Sequence, residues 1–303
     1  MKVRIGYGLG TSTLAHGSEY AAIVDALEAL GFDSLWLSER ISGPAPDPLV
    51  AMAYGAGRTA KLKFGMSVLV LPGRNPIVLA KELATLATMS GGRLLPAFGL
   101  GVVDPVEQQA FGVARGERAA LFDEMLTVMR QCWTGEPFSH HGARFDYDGV
   151  RVLPAPKRMD VWLGGFADSE LRRVGRLADG WLPSFVTPAD AQRGRSIIEQ
   201  VAAEHDRSID DDHYGVLIPY LVGGDGEVPD RLLTVLAKRR PDLADPREIV
   251  PTTWIELAGL IERFVDVGTT KFVVLPVREP GASEEWVAHL AEAADALLPL
   301  ERG

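Results

Sequence analysis

The chain has 303 residues, of which 47% are hydrophobic and 24% are charged, and its formal net charge is −10. Phosphate backbones and anionic membranes are normally bound by clustered lysine and arginine, so this acidic balance argues against nucleic acid and membrane partners. Cys132 is the only cysteine, which excludes an internal disulfide and a cysteine-rich metal site. Because the chain starts directly with a strand and has no apolar run near about 18 residues, we expect a cytoplasmic protein.

Eight short apolar segments alternate with helical segments. Strands are predicted at 3–9, 33–37, 64–70, 94–98, 161–163, 181–183, 215–221 and 271–275. Helices are predicted at 19–30, 115–133 and 284–298 and after the capping residues Asp47, Asn75, Asp168 or Ser169, Thr187 and Thr253. Such side chains accept hydrogen bonds from the free N–H groups of the first turn, and proline after the cap, as in Asp47-Pro48, suits a helix start.

Two segments interrupt this alternation. The first, 136–158, carries the spaced aromatic residues Phe138, Phe145 and Tyr147, and it is interpreted as an inserted hairpin or loop. The second, 223–251, is rich in glycine, proline and charge, and it is interpreted as an insertion with a short helix at 230–238. Either insertion could serve as a lid or as a dimer surface, and the sequence does not decide between these roles.

The strand and helix count predicts an α/β fold of the (β/α)8 TIM barrel type. We expect one domain over residues 1–303, with insertions near 136–158 and 223–251. A doubly wound open sheet is the competing fold. It would place a glycine fingerprint at the first strand-to-helix turn, but Gly6, Gly8 and Gly10 have the wrong spacing for one.

The stretch 160–184 predicts an anion-binding turn. An apolar strand ends at Gly164-Gly165, and Asp168 or Ser169 can cap the helix that follows. Glycine lets the backbone approach a ligand closely, and the free N–H groups at a helix start favour a phosphate. The alternative interpretation is a tight turn that binds nothing.

Catalytic residues of a barrel come from the C-terminal ends of its strands. That rule selects Tyr7, Glu39, Arg40, Ser67, Val68, Gly99, Gly101, Asp104, Gly164, Gly165, Phe166, Ser184 and Arg278. The set matches no hydrolytic or metal site, and the adjacent pair His140-His141 is too close in sequence to converge on one ion in regular structure. Two of these positions also have purely structural interpretations, because Glu39-Arg40 could be a rim ion pair and Asp104 could cap a helix.

Four segments in order resemble the bacterial-luciferase-like superfamily, and most closely its branch that uses the deazaflavin coenzyme F-420. They are GFDSLWLSER at 31–40, FGMSVLVLPGRNPIVLAKELATLATMSGGRL at 64–94, FGLGV at 98–102 and WLGGFADSELRRVGRLADGW at 162–181. The likeness runs from Val3 to about Phe185 and resumes weakly in the last strand and helix. Members of this family are single (β/α)8 barrels with an insertion, which agrees with the strand count.

The resemblance implies a flavin or deazaflavin ring at the C-terminal mouth of the barrel. It implies a non-proline cis peptide at Ser67-Val68, and a cofactor phosphate at Gly164, Gly165 and Phe166 with the helix start at Ser169. Gly99 and Gly101 would allow close backbone approach. An apolar face for substrate could come from Met66, Phe166, Trp181 and Phe185, which have core packing as the alternative role.

One position departs from the family pattern. Many members have an acidic residue and then a histidine at the end of strand two, whereas this chain has Glu39 and Arg40. Arginine stays protonated at working pH, so Arg40 cannot act as a general base, although it could stabilise an anionic ring or bind an acidic substrate. We therefore expect Glu39 and Arg40 near the cofactor, with Tyr7 as a substitute proton donor.

The leading hypothesis is an oxidoreductase that uses coenzyme F-420 for hydride transfer to or from a small organic substrate. The alternative is a two-component monooxygenase that receives reduced FMN from a separate reductase. A third hypothesis is a flavin-binding barrel without turnover. The resemblance is also compatible with a homodimer.

Overall fold

The computed structural model describes residues 2–13, 17–223 and 228–303, so parts of the predicted loop at 10–18 and of the insertion at 223–251 lie outside the described residues. The strands are β1 (Arg4–Leu9), β2 (Ser34–Leu37), β3 (Lys63–Met66), β4 (Leu69–Val70), β5 (Leu94–Leu95), β6 (Ala97–Gly99), β7 (Phe138–His141), β8 (Asp146–Val150), β9 (Trp162–Leu163), β10 (Gly180–Trp181), β11 (Gly215–Tyr220) and β12 (Lys271–Pro276). The helices are α1 (Gly17–Leu30), α2 (Pro48–Arg58), α3 (Pro76–Met89), α4 (Pro105–Phe111), α5 (Arg118–Trp133), α6 (Asp168–Leu177), α7 (Pro188–Glu204), α8 (Asp230–Arg239), α9 (Trp254–Asp266) and α10 (Ser283–Leu297).

The parallel strands form a closed ring, which confirms the predicted (β/α)8 barrel. One sheet has the order β11-β12-β1-β2-β3-β5, and the other has the order β10-β9-β6-β4. The third barrel strand is β3 continued by β4, and the fourth is β5 continued by β6, so the two sheets share these strands. The parallel bridges Trp181–Tyr214 and Ser184–Leu217 join the β10 side to β11 and complete the ring.

The helix starts follow the capping chemistry that the sequence predicts. The carboxylate of Asp47 accepts a hydrogen bond from the N–H of Val50, and Asn75 accepts two from Ile77 and Val78. Thr187 and Thr253 each form a capping box with the acidic residue three positions later. Each cap satisfies N–H groups that have no partner within the helix, which explains why these helices begin where they do.

The barrel interior is a small apolar cluster that is separate from the main core. It contains Trp36, Ala97, Trp162, Leu182 and Val273, which come from five different parts of the ring. Trp36 and Trp162 meet edge to face with ring centroids 6.4 Å apart. Since side chains alternate across a strand, the neighbouring apolar residues of each strand face the surrounding helices and form the larger cluster.

The segment 136–158 is the antiparallel hairpin of β7 and β8, as predicted. The predicted short helix in the second insertion is α8, and α4 is an additional helix that the sequence suggested only through the Asp104 cap. No helix among the described residues combines the length and the apolar character needed to cross a membrane.

Candidate functional site

Two adjoining cavities open at the C-terminal ends of the barrel strands. They measure about 520 Å³ and 200 Å³. Residues from the third to the seventh barrel strands and their loops line both: Ser67, Val68, Gly99, Leu100, Gly165, Glu170, Ser184 and Leu217. Small-molecule sites in proteins are typically clefts of about 300–1,000 Å³, so this mouth has the size of a cofactor or substrate site.

The structure brings most of the sequence-predicted site residues to this mouth. Those that line one or both cavities are Glu39, Arg40, Ser67, Val68, Gly99, Gly101, Gly164, Gly165 and Ser184. The peptide bond between Ser67 and Val68 is cis, as predicted. The N–H of Ser67 donates to the carbonyl of Leu37 at 2.8 Å, and the hydroxyl of Ser38 donates to the carbonyl of Ser67 at 3.1 Å. The loop after β2 therefore holds this bond in the wall of the mouth.

Glu39 is a structural anchor of the mouth. One carboxylate oxygen accepts a hydrogen bond from the N–H of Val70 at 2.7 Å, and the other forms an ion pair with Arg74. Burial raises the pKa of the Glu39 carboxyl, and the Arg74 guanidinium opposes that rise. Both oxygens are thus occupied, and the side chain ties the end of β2 to β4.

Arg40 lies at the rim, where it links the loop after β2 to α4. Its guanidinium forms an ion pair with Asp104 at 2.9 Å. Asp104 also caps α4 through the N–H of Val106 at 2.8 Å, so the alternative interpretation of Asp104 as a cap is correct. The adjacent carboxylate of Glu107 is buried, yet hydrogen bonds from Ser42 and Ile41 hold the pKa of Glu107 below its ordinary value. Arg40 therefore forms an ion pair with Asp104 and also lines the larger cavity.

The glycine turn after β9 has a different cap from the predicted one. Neither Asp168 nor Ser169 caps α6. Instead, Glu170 reaches back, and its Oε2 accepts hydrogen bonds from the N–H of Phe166 at 2.9 Å and of Ala167 at 3.0 Å. A carboxylate of the chain itself thus occupies two N–H groups of the predicted anion-binding turn.

Several predicted cofactor contacts have another structural role. A Cβ added to Gly99 would lie 2.5 Å from a methyl group of Val68, so this glycine makes room for Val68. Gly101 has a positive φ of 83°, which favours glycine. Phe166 is half-buried beside the guanidinium groups of Arg193 and Arg240 and lines neither cavity, and Ser169 is exposed on α6 and lines neither cavity.

The structure corrects the predictions for Tyr7 and Met66. Tyr7 is fully buried, its hydroxyl lies 2.7 Å from the hydroxyl of Tyr220, and its ring packs on Trp286 of α10. A Cβ added to neighbouring Gly6 would meet Ser34 and Trp36 inside the barrel, so Tyr7 on the same strand faces outward. Met66 alternates with the inward Gly65 in the same way and packs in the main core.

Trp181 also faces the helix layer. A Cβ added to Gly194 of α7 would lie 2.3 Å from its ring, and its indole N–H donates to the carbonyl of Gly165 at 2.9 Å. Trp181 thus supports the glycine turn from behind and does not offer an apolar face to the mouth. Phe185, by contrast, lines the larger cavity, beneath the guanidinium of Arg239.

The charged residues that line the mouth and were not predicted from the sequence are Glu107, Arg118, Glu170, Arg173 and Arg239. Glu170 lines both cavities. Arg118 is 4% exposed, lines the larger cavity, and donates from Nη1 to the carbonyls of Leu100 at 3.2 Å and Val102 at 3.0 Å. Glu279 lines neither cavity; it accepts a hydrogen bond from Thr13 close to Gly10, and burial raises the pKa of its carboxyl. The sequence signal for Glu170 was its position three residues after the helix N-cap, where capping boxes place glutamate.

The mouth fits a large planar cofactor with an anionic tail. Val68, Leu100 and Leu217 supply apolar wall, while the buried Arg118 supplies a cation whose described partners are only carbonyl oxygens. The backbone turn at Gly164 and Gly165 forms the far wall of the smaller cavity.

The family model described as luciferase-like monooxygenase matches residues 2–249 of the chain. A relative from Microbacterium testaceum, named F-420-dependent glucose-6-phosphate dehydrogenase, is 26% identical over 294 residues, which cover 85% of this chain and 86% of that protein. An F-420-dependent secondary alcohol dehydrogenase, solved in complex with an F-420–acetone adduct, superposes with a TM-score of 0.79 at 20% identity and covers 98% of this chain and 99% of its own.

A flavin enzyme has the same fold. The oxygenating constituent of 3,6-diketocamphane monooxygenase from Pseudomonas putida, solved in complex with FMN, superposes with a TM-score of 0.79 at 18% identity. This comparison covers 100% of this chain and 99% of the other. At these identities the two structural likenesses show the barrel fold alone, and they agree with the closed ring of strands described above.

Proposed function

The chain belongs to the luciferase-like monooxygenase family, and on that premise we propose that it is an oxidoreductase that uses coenzyme F-420 for hydride transfer to or from a small organic substrate. It is an enzyme, as its relatives and structural neighbours are, which leaves no support for a barrel that binds flavin without turnover. The observation that carries the proposal is the pair of adjoining cavities, which meet at the Ser67–Val68 bond and at Gly165. The relative named for its F-420 dependence matches over 85% of this chain and supports the choice of cofactor.

Each part of the mouth has a physical role in this proposal. The deazaflavin supplies the hydride chemistry, and the protein supplies binding, orientation and exclusion of water. The Ser67–Val68 segment, held by Ser38 and Leu37, would form one wall of the ring site. Arg118 would attract an anionic group, since a buried guanidinium paired only with carbonyls keeps its positive charge uncompensated. Phe185 and Leu217 would contact an apolar substrate.

The alternative is a monooxygenase that uses FMN and receives it in reduced form from a separate reductase. The FMN complex of a structural neighbour with the same barrel favours this second candidate. The two functions differ in cofactor and in reactivity with oxygen, so binding and oxygen-consumption measurements separate them.

The experiment that tests the proposal is a fluorescence titration of the purified protein with F-420 and, separately, with FMN. We expect tighter binding of F-420. Tighter binding of reduced FMN, with oxygen consumption in the presence of substrate, would replace the proposal by the monooxygenase. If the folded protein binds neither cofactor, both functions are refuted.

We also propose that the enzyme is a homodimer that pairs through α2 and α3. The outer faces of these helices expose Val50 and Met89, which are 70% and 83% accessible, beside a groove of about 650 Å³. Lysine, arginine, glutamate and aspartate also line this groove, so two copies related by a twofold axis could pair opposite charges. We expect a dimer by light scattering and a monomer for the Val50→Glu, Met89→Glu double variant. Ile255→Glu, on the equally exposed face of α9, is the control that should stay dimeric.

A further inference from the structure

Glu170 is the carboxylate that faces both cavities of the mouth. Its Oε2 accepts hydrogen bonds from the N–H groups of Phe166 and Ala167, at 2.9 Å and 3.0 Å. A Cβ added to Gly165 would lie 2.6 Å from the Glu170 carboxyl carbon, so the glycine is what allows the carboxylate to approach the turn this closely. The side chain thus brings a negative charge to the backbone groups that would otherwise favour an anionic ligand.

Apart from Arg118 and Arg239, the other charged groups of the mouth are paired with an opposite charge. Arg239 lines the larger cavity over the ring of Phe185 and has no ion pair among the described residues. Glu39 pairs with Arg74, and Arg40 pairs with Asp104. Arg173, which lines the smaller cavity next to Glu170, pairs with Asp123 at 2.6 Å. Among the described residues no ion pair joins Glu170 to a cation, and its hydrogen-bond donors are the two backbone N–H groups. Glu170 therefore contributes negative charge that neighbouring side chains leave uncompensated.

The positively charged guanidinium of Arg118 also lacks an ion-pair partner among the described residues. This guanidinium lines the larger cavity, is 4% exposed, and has only carbonyl partners among the described residues. Among the described residues, the mouth therefore presents two cations without an ion-pair partner, Arg118 and Arg239, and one such carboxylate, Glu170. Glu170 repels each negative charge that is placed beside it at the turn, so a phosphate with two charges there is disfavoured more than a phosphate with one.

We propose that Glu170 is a specificity-determining residue that makes the site discriminate against cofactors with a phosphate monoester and favour those with a phosphodiester. This inference rests on the proposed function. A phosphate monoester, as in FMN, carries about −1.5 to −2 charges at pH 7. The phosphodiester tail of a deazaflavin such as F-420 carries one charge at the phosphate. Glu170 would therefore weaken the binding of FMN more than the binding of F-420.

The test is the variant Glu170→Gln, which keeps an oxygen that can accept the two N–H bonds and removes the charge. Dissociation constants are measured by fluorescence for two matched ligand pairs: FMN with riboflavin, and F-420 with its phosphate-free deazaflavin. For the variant we expect FMN to bind about tenfold more tightly, a change of about 1.4 kcal/mol. F-420 should gain less than FMN, and the two phosphate-free ligands should change by less than about twofold.

The matched control is Glu262→Gln, which removes the same charge from the exposed face of α9 and should leave all four constants unchanged. Thermal melting checks that both variants are folded, and Glu170→Ala, which also lacks the charge, should show the same preference for FMN. Equal gains for FMN and riboflavin, or no gain for FMN, would overturn the role of Glu170 while F-420 binding by the unaltered enzyme still supports the proposed function. Binding of none of the four ligands by the unaltered enzyme would remove both.

Discussion

Replacing Asp33 by asparagine should destabilise the barrel by about 3–5 kcal/mol, because the change leaves a buried cation unpaired. Asp33 forms ion pairs with Lys63 at 2.8 Å and with Lys271, and these contacts join the starts of β2, β3 and β12, with β1 between β2 and β12. The side chains of Asp33 and Lys271 are only 6% and 8% exposed. An exposed pair of the same kind contributes roughly 0–1 kcal/mol, so burial is the source of the expected magnitude.

Urea denaturation followed by fluorescence measures the effect, and Asp25→Asn is the matched control. Asp25 pairs with Arg58 in an exposed ion pair in which the aspartate side chain is 50% accessible, so this variant should lose less than about 1 kcal/mol. The second variant, Asp33→Asn combined with Lys271→Met, removes both buried charges and should recover much of the lost stability. If Asp33→Asn lowers the free energy of unfolding no more than Asp25→Asn does, the assignment of Asp33 and Lys271 as a buried ion pair is refuted.

The Asp33→Asn variant should also differ from the original protein in how its stability depends on pH. Although burial opposes it, the charges of Lys271 and Lys63 hold the pKa of Asp33 well below its ordinary value. A carboxyl with a lowered folded-state pKa stabilises the protein above its unfolded pKa, near about 4, and loses that contribution as pH falls toward the folded value. The stability difference between the original protein and Asp33→Asn should therefore be full at pH 6 and shrink below about pH 4. If the stability difference between the original protein and Asp33→Asn stays constant down to pH 2, the lowered pKa of Asp33 is contradicted.

Two further predictions concern residues proposed for the site. Tyr7→Phe should leave F-420 affinity unchanged within about twofold and reduce stability by about 0.5–1.5 kcal/mol, because Tyr7 faces the helix layer and loses one hydrogen bond to Tyr220. An affinity loss of tenfold in titrations of this variant would restore Tyr7 to the site. Arg40→Ala should lower the free energy of unfolding, measured by urea denaturation, by less than about 1 kcal/mol, since the ion pair with Asp104 is partly exposed. The same variant should weaken F-420 binding about fivefold or more, because it removes a positive charge from the cavity wall. Unchanged binding and turnover would show that Arg40 only shapes the rim.

The helix starts and the order of strands could be predicted because their signals are local. Asp47, Asn75 and Thr253 each lie within three residues of the N–H group that they cap. The alternation of apolar strands with capped helices indicates a parallel sheet, since parallel strands need helical crossovers, and the count of eight strands without a glycine fingerprint at the first turn favours the barrel over the open sheet. In contrast, the apolar pattern does not predict that the third barrel strand divides into β3 and β4 and the fourth into β5 and β6. This division depends on the geometry of the whole ring.

The faces of the strands were harder to assign, and this caused the errors at Tyr7 and Met66. Both faces of a barrel strand are buried, so apolar residues occur at consecutive positions and the period of two is lost. The available signal was the placement of glycine. Gly6 and Gly65 face inward because Trp36 fills the space beside them, which sends Tyr7 and Met66 outward.

The ion pairs of the mouth could not be predicted because they join distant segments. Arg40 and Asp104 are 64 residues apart, and the contacts of Glu107 with Ser42 span 65. Local pattern identified Glu39, Arg40 and Asp104 as rim residues without showing which charges compensate each other. That missing information matters most at Glu170, whose uncompensated charge emerges only when every neighbouring pair is known.

The pairing of Glu39 and Arg40 bears on how protons reach the mouth. Glu39 uses one oxygen on the N–H of Val70 and the other on Arg74, so protonating it would break contacts that hold β4 in place. Arg40 stays protonated at any working pH. These two residues therefore build the wall that the cofactor is proposed to contact, and neither is suited to proton transfer. A proton that the reaction requires must therefore come from another group of the mouth, from the substrate or from solvent. The chemistry then depends on the cofactor ring and on how the protein orients it.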